Sequence, residues 1–195
     1  MIDRARQRAE FLAGAGWGRA RLDALPGDAS ARRYFRLSDQ GRRAMLMDAP
    51  PPEDVGRFTR IARLLHRLDY SAPLILAADP ASGFLVLEDF GDQTYTRLIE
   101  SGADEDRLYG LATDLLADLH RGFDIQAPHG VPAYSDEILL EEAGRFILWF
   151  LPAATGGAVS DEVASKFRTL WQRVLPVARA VPAACCPAAP AIRSA

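Results

Sequence analysis

Lysine is almost absent from this chain. Its 195 residues contain one, Lys166, and the remaining strong cations are arginines. A phosphate-binding loop of the Gly-Lys-Ser/Thr type needs a lysine directly after its glycines, so that nucleotide fold is excluded. The strand lysine of ordinary protein kinases is excluded as well, because Lys166 lies far down the chain. Cysteine is scarce too. Cys185 and Cys186 are the only two, and they are adjacent. A vicinal pair rarely closes on itself, and no Cys/His group stands at metal-ligand spacing, so both read as free thiols. No apolar run approaches the roughly 18 residues of a membrane span. The net charge of −3 makes no case for nucleic acid or an anionic membrane as partner. The N-terminal residues are charged and no apolar segment follows them, so no secretory leader is expected and the expected compartment is the cytoplasm.

What is present suffices for a core. The apolar share is 49%, enough for one domain or one and a half. Residues 4–17 suit a short helix ended by Gly14 to Gly18. Strands are expected over 20–26, 32–38 and 44–48, the last apolar on both faces and therefore central. After Pro50-Pro51-Pro52, Val55, Phe58, Ile61, Ala62, Leu65 and Leu68 repeat at helical spacing. Two more strands follow, over 73–79 and 84–88, with a turn at 79–83. Beyond Gly91 the pattern is helical: 94–99, then 108–122, then a helix capped by Ser135 and broken by 152–157, then one capped by Ser160 and running to Val181. Residues 183–195 have no periodicity and no acidic side chain, which reads as a disordered tail.

The most informative stretch is Leu25-Pro26-Gly27-Asp28-Ala29-Ser30-Ala31-Arg32-Arg33-Tyr34-Phe35-Arg36-Leu37. An apolar residue leads into a small polar loop, and a strand rich in arginine and aromatics follows. Gly27 and Ser30 permit a tight loop with free backbone N–H groups, which can hold phosphate oxygens. The same spacing also suits an ordinary surface hairpin.

Three segments in order resemble one family. They are Gly27 to Leu37, then Leu46-Met47-Asp48-Ala49-Pro50-Pro51, then Phe84-Leu85-Val86-Leu87-Glu88-Asp89-Phe90-Gly91-Asp92. Together they resemble the aminoglycoside-phosphotransferase-like kinases, and most of all the bacterial cell-wall amino-sugar kinases of that group, which phosphorylate the anomeric hydroxyl of N-acetylmuramate or N-acetylglucosamine. The resemblance runs from about residue 5 to residue 182. It implies an α+β, protein-kinase-like fold: a five-stranded antiparallel N-terminal lobe over 1–90, and an incomplete helical C-terminal lobe over 91–182. It implies ATP and Mg²⁺ as cofactors, a nucleotide and a sugar as small-molecule partners, and phosphoryl transfer to a sugar hydroxyl. Gly27, Asp28, Ala29 and Ser30 would cover the phosphates. Glu88, Asp89, Phe90 and Gly91 would form the hinge against the adenine edge. Met47 falls near the strand position where kinases carry lysine, and Arg33 or Arg36 would stand in for that cation; a solvated strand face is the other reading of these arginines.

The family's His-x-Asp-x-x-x-x-Asn segment is not found. His66 sits in a helical pattern, His120 is followed two residues on by Gly122, and His129 by Val131. That segment would begin just after Val181, where the sequence turns to Ala, Pro and Cys, so a truncation or frame change at about residue 183 is expected, and no catalytic or metal-ligating residue is nominated. A separately encoded C-terminal fragment would restore the set. The alternative is a non-catalytic nucleotide-binding pseudokinase or interaction module. Asp89-Phe90-Gly91 spells the metal-binding triplet of protein kinases, but it precedes every helix of the second lobe and reads as a strand-to-hinge turn.

Overall fold

The computed structural model describes residues 3–27, 30–123, 130–131 and 134–180. The expected tail over 183–195, with both cysteines, lies outside the described residues, as do Asp28, Ala29, His129 and Val181. The elements run α1 (Arg4–Gly14), β1 (Arg21–Ala24), β2 (Arg33–Asp39), β3 (Arg42–Asp48), α2 (Val55–Arg67), β4 (Ile75–Asp79), β5 (Phe84–Leu87), α3 (Tyr95–Glu100), α4 (Glu105–Gly122), α5 (Asp136–Arg145), α6 (Leu151–Thr155) and α7 (Asp161–Ala178). The chain forms two compact units that divide at Asp118/Leu119, within α4.

The first unit holds a five-stranded sheet in the order β1-β2-β3-β5-β4. Every neighbouring pair is antiparallel. β3 is central, as its two-sided apolar pattern predicts. β2 and β3 close on a two-residue turn in which Gln40 and Gly41 both take positive φ, 48° and 83°, the geometry whose twist matches a hairpin.

Alternation along the strands gives each sheet face its own core. On one face Leu37, Ala44, Leu46, Phe84 and Val86 pack with Leu12 and Trp17, from α1 and the turn after it. On the other, Met47, Leu85 and Leu87 pack with Val55 and half-buried Phe58 of α2. Each such buried aliphatic side chain contributes about 1.5–3 kcal/mol relative to exposure. Asp54 caps α2 by accepting from the N–H groups of Gly56 and Arg57.

An ionic clasp fixes α1. Asp48 ends β3 and is 3% exposed. Its Oδ1 accepts from Arg4 Nε at 2.8 Å and Nη2 at 2.6 Å, and Arg8 approaches Oδ2 at 3.5 Å. Arg4 also donates to the Ser82 carbonyl at 2.6 Å and lies over the Phe84 ring.

In the second unit the sequence expectation needs correction. The break expected over 152–157 falls at Gly156, and the helix that Ser135 begins runs on through Pro152. A π-helical turn over Phe146–Phe150 joins α5 to α6, and the helix ends only at Gly156, whose φ is +74°. A proline ring clashes with the carbonyl four residues back in a regular helix. The wider turn just before Pro152 relieves that clash, so the chain stays helical. Phe146 stacks on Phe150 and Phe167, at 5.1 and 6.1 Å between centroids, and Arg179 of the residue stretch after α7 pairs with Asp136 at 2.6 Å. Much of this unit's apolar surface is open: Trp149 is 72% exposed and Val177 75%. Among the described residues no helix is long and apolar enough to cross a membrane.

Candidate nucleotide site

The expected loop and the expected hinge both adjoin the five-stranded sheet. β1 and β2 pair antiparallel, and the pairing extends to a Leu25 N–H bond to the Tyr34 carbonyl at 2.9 Å. The Gly27–Ser30 stretch therefore lies at the tip of a strand–loop–strand, with Asp28 and Ala29 outside the described residues. Ser30 Oγ accepts from the Arg32 N–H at 3.2 Å, which closes the loop locally. Arg32 then donates to Glu53 Oε2 at 2.8 Å, tying the loop's end to the start of α2. The sequence reading missed this pair, because nothing in the local pattern connects positions so far apart.

The hinge leaves β5 directly. The Glu88 N–H donates to the Leu74 carbonyl at 2.8 Å, and its carboxylate accepts from the Leu74 N–H at 3.1 Å. Phe90 is half exposed, and Gly91 takes φ +81°, where a side chain is strained. Among the described residues no group of three His, Cys, Asp or Glu side chains could hold a metal ion.

Strand alternation separates the nominated residues. Tyr34 faces Met47 across β2 and β3, and Arg36 faces Met45, which in turn faces Leu87. These side chains share the α2 face. Met47 is buried there, while Tyr34, Met45 and Ile75 are half buried and form an apolar shelf beside the hinge. Arg33 is exposed at the loop end of β2, and alternation groups it with Phe35 and Leu37 on the α1 face.

Arg36 is already engaged. Its Nε donates to Asp89 Oδ2 at 2.8 Å, and its two terminal nitrogens reach Asp92 at 2.9 and 3.0 Å. The side chain of Asp89 is 3% exposed. Its Oδ1 also accepts the Gly91 N–H at 2.9 Å. The hydrogen bond from Arg36, joined by the nearby charges of Arg36 and Arg97, holds the Asp92 carboxyl below the usual carboxylate range. Arg36 is accordingly a partner of the hinge carboxylates. The Asp89-Phe90-Gly91 triplet lies between β5 and α3.

The model of the phosphotransferase enzyme family matches residues 21–190. The chain belongs to that family. It is 35% identical over 169 residues to the N-acetylmuramate/N-acetylglucosamine kinase of Pseudomonas aeruginosa, which covers 85% of this chain and 48% of the relative. It is 38% identical over 154 residues to the kinase of the same name from Pseudomonas putida, covering 78% and 43%. A third, from Caulobacter vibrioides, is 38% identical over 146 residues, covering 60% and 40%. The chain spans about half the length of the curated relatives it matches. Among solved structures, a chain of the streptomycin–ATP–APH(2″)-IIa ternary complex superposes with a TM-score of 0.51 at 16% identity, covering 91% of this chain and 60% of that chain. At that identity the likeness concerns the fold, and it agrees with the expected α+β, kinase-like sheet and helices.

Proposed function

We propose that the first unit is the nucleotide-holding lobe of an ATP-dependent phosphotransferase that acts on a sugar hydroxyl, the acceptor being an N-acetylated amino sugar. The observation that carries this is the convergence of three parts on one sheet. The strand–loop–strand tip, the apolar shelf and the hinge segment all belong to the five strands of this sheet or their ends. The shelf of Tyr34, Met45 and Ile75 suits the flat apolar face of adenine. Backbone groups of Glu88 to Gly91 would meet its polar edge. Gly27 to Ser30 would cover the phosphates, with Met47 forming the shelf's floor and Arg33 reaching the phosphates from the strand end. The acceptor assignment rests on the names of the relatives.

ATP supplies the phosphoryl group to be transferred, and in such chemistry positioning and charge neutralisation do most of the work. Mg²⁺ is the usual counter-ion; among the described residues no group of three His, Cys, Asp or Glu side chains could hold it by themselves, and no step here depends on one. The 195-residue sequence contains no His-x-Asp-x-x-x-x-Asn segment, so no residue of it is assigned the task of orienting the acceptor hydroxyl.

Calorimetric titration of the 195-residue chain with ATP tests the nucleotide site, beside a coupled kinase assay with N-acetylmuramate and N-acetylglucosamine. Saturable ATP binding without turnover is expected. Arg33→Ala should weaken ATP binding by about 1–3 kcal/mol, the range for a charged hydrogen bond. No binding would refute the nucleotide lobe; turnover by this chain would show that its own residues orient the acceptor; an unchanged affinity in Arg33→Ala would leave that arginine exposed to solvent at the strand end, without a phosphate.

A further inference from the structure

The Arg36 bridge lies in the first unit, on the face that carries the apolar shelf. One guanidinium from β2 spans two carboxylates that bracket the hinge turn, Asp89 and Asp92. It also reaches the Gly91 carbonyl at 3.3 Å. Arg97, in α3, approaches Asp92 at 3.4 Å, so the outer carboxylate is gripped from both sides. A planar fork with five donors can hold two carboxylates and a carbonyl at once, whereas an ammonium is a point charge with no fixed plane. The Asp89 side chain is almost shut off from water, and a carboxylate in that position needs a charged partner. The turn between the two carboxylates also contains Gly91 in the left-handed region, which glycine adopts without steric cost. The segment immediately after the fully buried strand β5 is thus pinned at both ends by one side chain from two strands away.

We propose that Arg36 is a positioning residue for the nucleotide base. By bridging Asp89 and Asp92 it holds the backbone of Glu88 to Gly91 where the edge of a purine can be read. This rests on the nucleotide-lobe reading given above. Ligand affinity scales with the fraction of molecules whose site is already in the competent arrangement. If release of the bridge lowers that fraction to about one tenth, the dissociation constant for ATP rises about tenfold. A ligand with phosphates but no base does not depend on the hinge, so its affinity should not follow.

The experiment compares ATP with inorganic tripolyphosphate on the full 195-residue chain, by calorimetric titration of the parent, Arg36→Met and Asp92→Asn. Circular dichroism establishes that each variant is folded. The expected result is an ATP dissociation constant about tenfold higher in Arg36→Met, a smaller rise in Asp92→Asn, and tripolyphosphate binding within about twofold of the parent in both. Should Arg36→Met fail to fold, the exposed Asp92→Asn change alone decides, since it breaks half of the bridge without stranding a buried charge. Equal weakening of both ligands would assign the bridge to general stability and overturn the proposal. A parent that binds ATP with unchanged affinity in the variants overturns it too, while sparing the nucleotide lobe. A parent that binds neither ligand refutes both.

Discussion

Replacing Asp48 should cost the first unit a large part of its stability. The Asp48 carboxylate is 3% exposed and takes two short bonds from Arg4, at 2.6 and 2.8 Å, with Arg8 at 3.5 Å. Asp48→Asn keeps the shape and removes the charge, so two guanidinium groups lose their counter-charge. Breaking a buried ion pair from one side typically costs about 3–5 kcal/mol. Here Arg4 and Arg8 retain 29% and 23% side-chain exposure, so water recovers part of the loss. The lower end, about 3 kcal/mol, is therefore expected. For a chain of this size that corresponds to a fall in Tm of roughly 6–12 °C. Trp17 is buried in the core that α1 closes, so its fluorescence reports on this unit. Urea titrations at neutral pH, in a Trp149→Phe/Trp171→Phe background that silences the second unit, give the comparison. The double change Arg4→Met/Asp48→Leu should recover at least half of the loss, because an apolar pair strands no charge. An Asp48→Asn variant within about 0.5 kcal/mol of its parent, the scatter of ordinary surface changes, would refute the clasp.

Gly83→Ala should also be severe. Gly83 has φ +73°, and an added Cβ would lie 2.0 Å from the Ala49 carbonyl oxygen, so the β4–β5 turn must move and break the Ala49 N–H bond to Gly83; we expect about 3 kcal/mol or more, read as a loss in Tm, and an unchanged Tm would contradict the packing. The third prediction concerns acid. The folded Asp92 carboxyl titrates below its unfolded value, so its contribution to stability is present above about pH 4 and is lost as pH falls through the folded value. The stability difference between the parent and Asp92→Asn should be constant above about pH 5 and close below about pH 4; a difference that instead grows toward low pH would contradict the assigned sign.

The strands and most helices were legible because their periodicities are local. Leu46 and Met47 point to opposite faces, and only a central strand can bury both. Family membership was legible in three short segments, and the family match over 21–190 bears it out. The continuous helix through Pro152 was not legible, because a π-helical turn is an adjustment of backbone width that leaves no mark on side-chain periodicity.

The sequence by itself determined the element order and the family, since each depends on neighbouring residues and their spacing. Which charges meet was decided only by the tertiary structure. Arg32, Arg33 and Arg36 are alike in a string of letters. Folded, Arg32 meets Glu53, Arg33 stands exposed at the strand end, and Arg36 bridges Asp89 and Asp92. Sheet order and strand register bring together residues more than fifty positions apart, as with Arg36 and Asp89. An arginine's role follows from the carboxylate the fold places within its reach, and that distance is not written in the sequence around it.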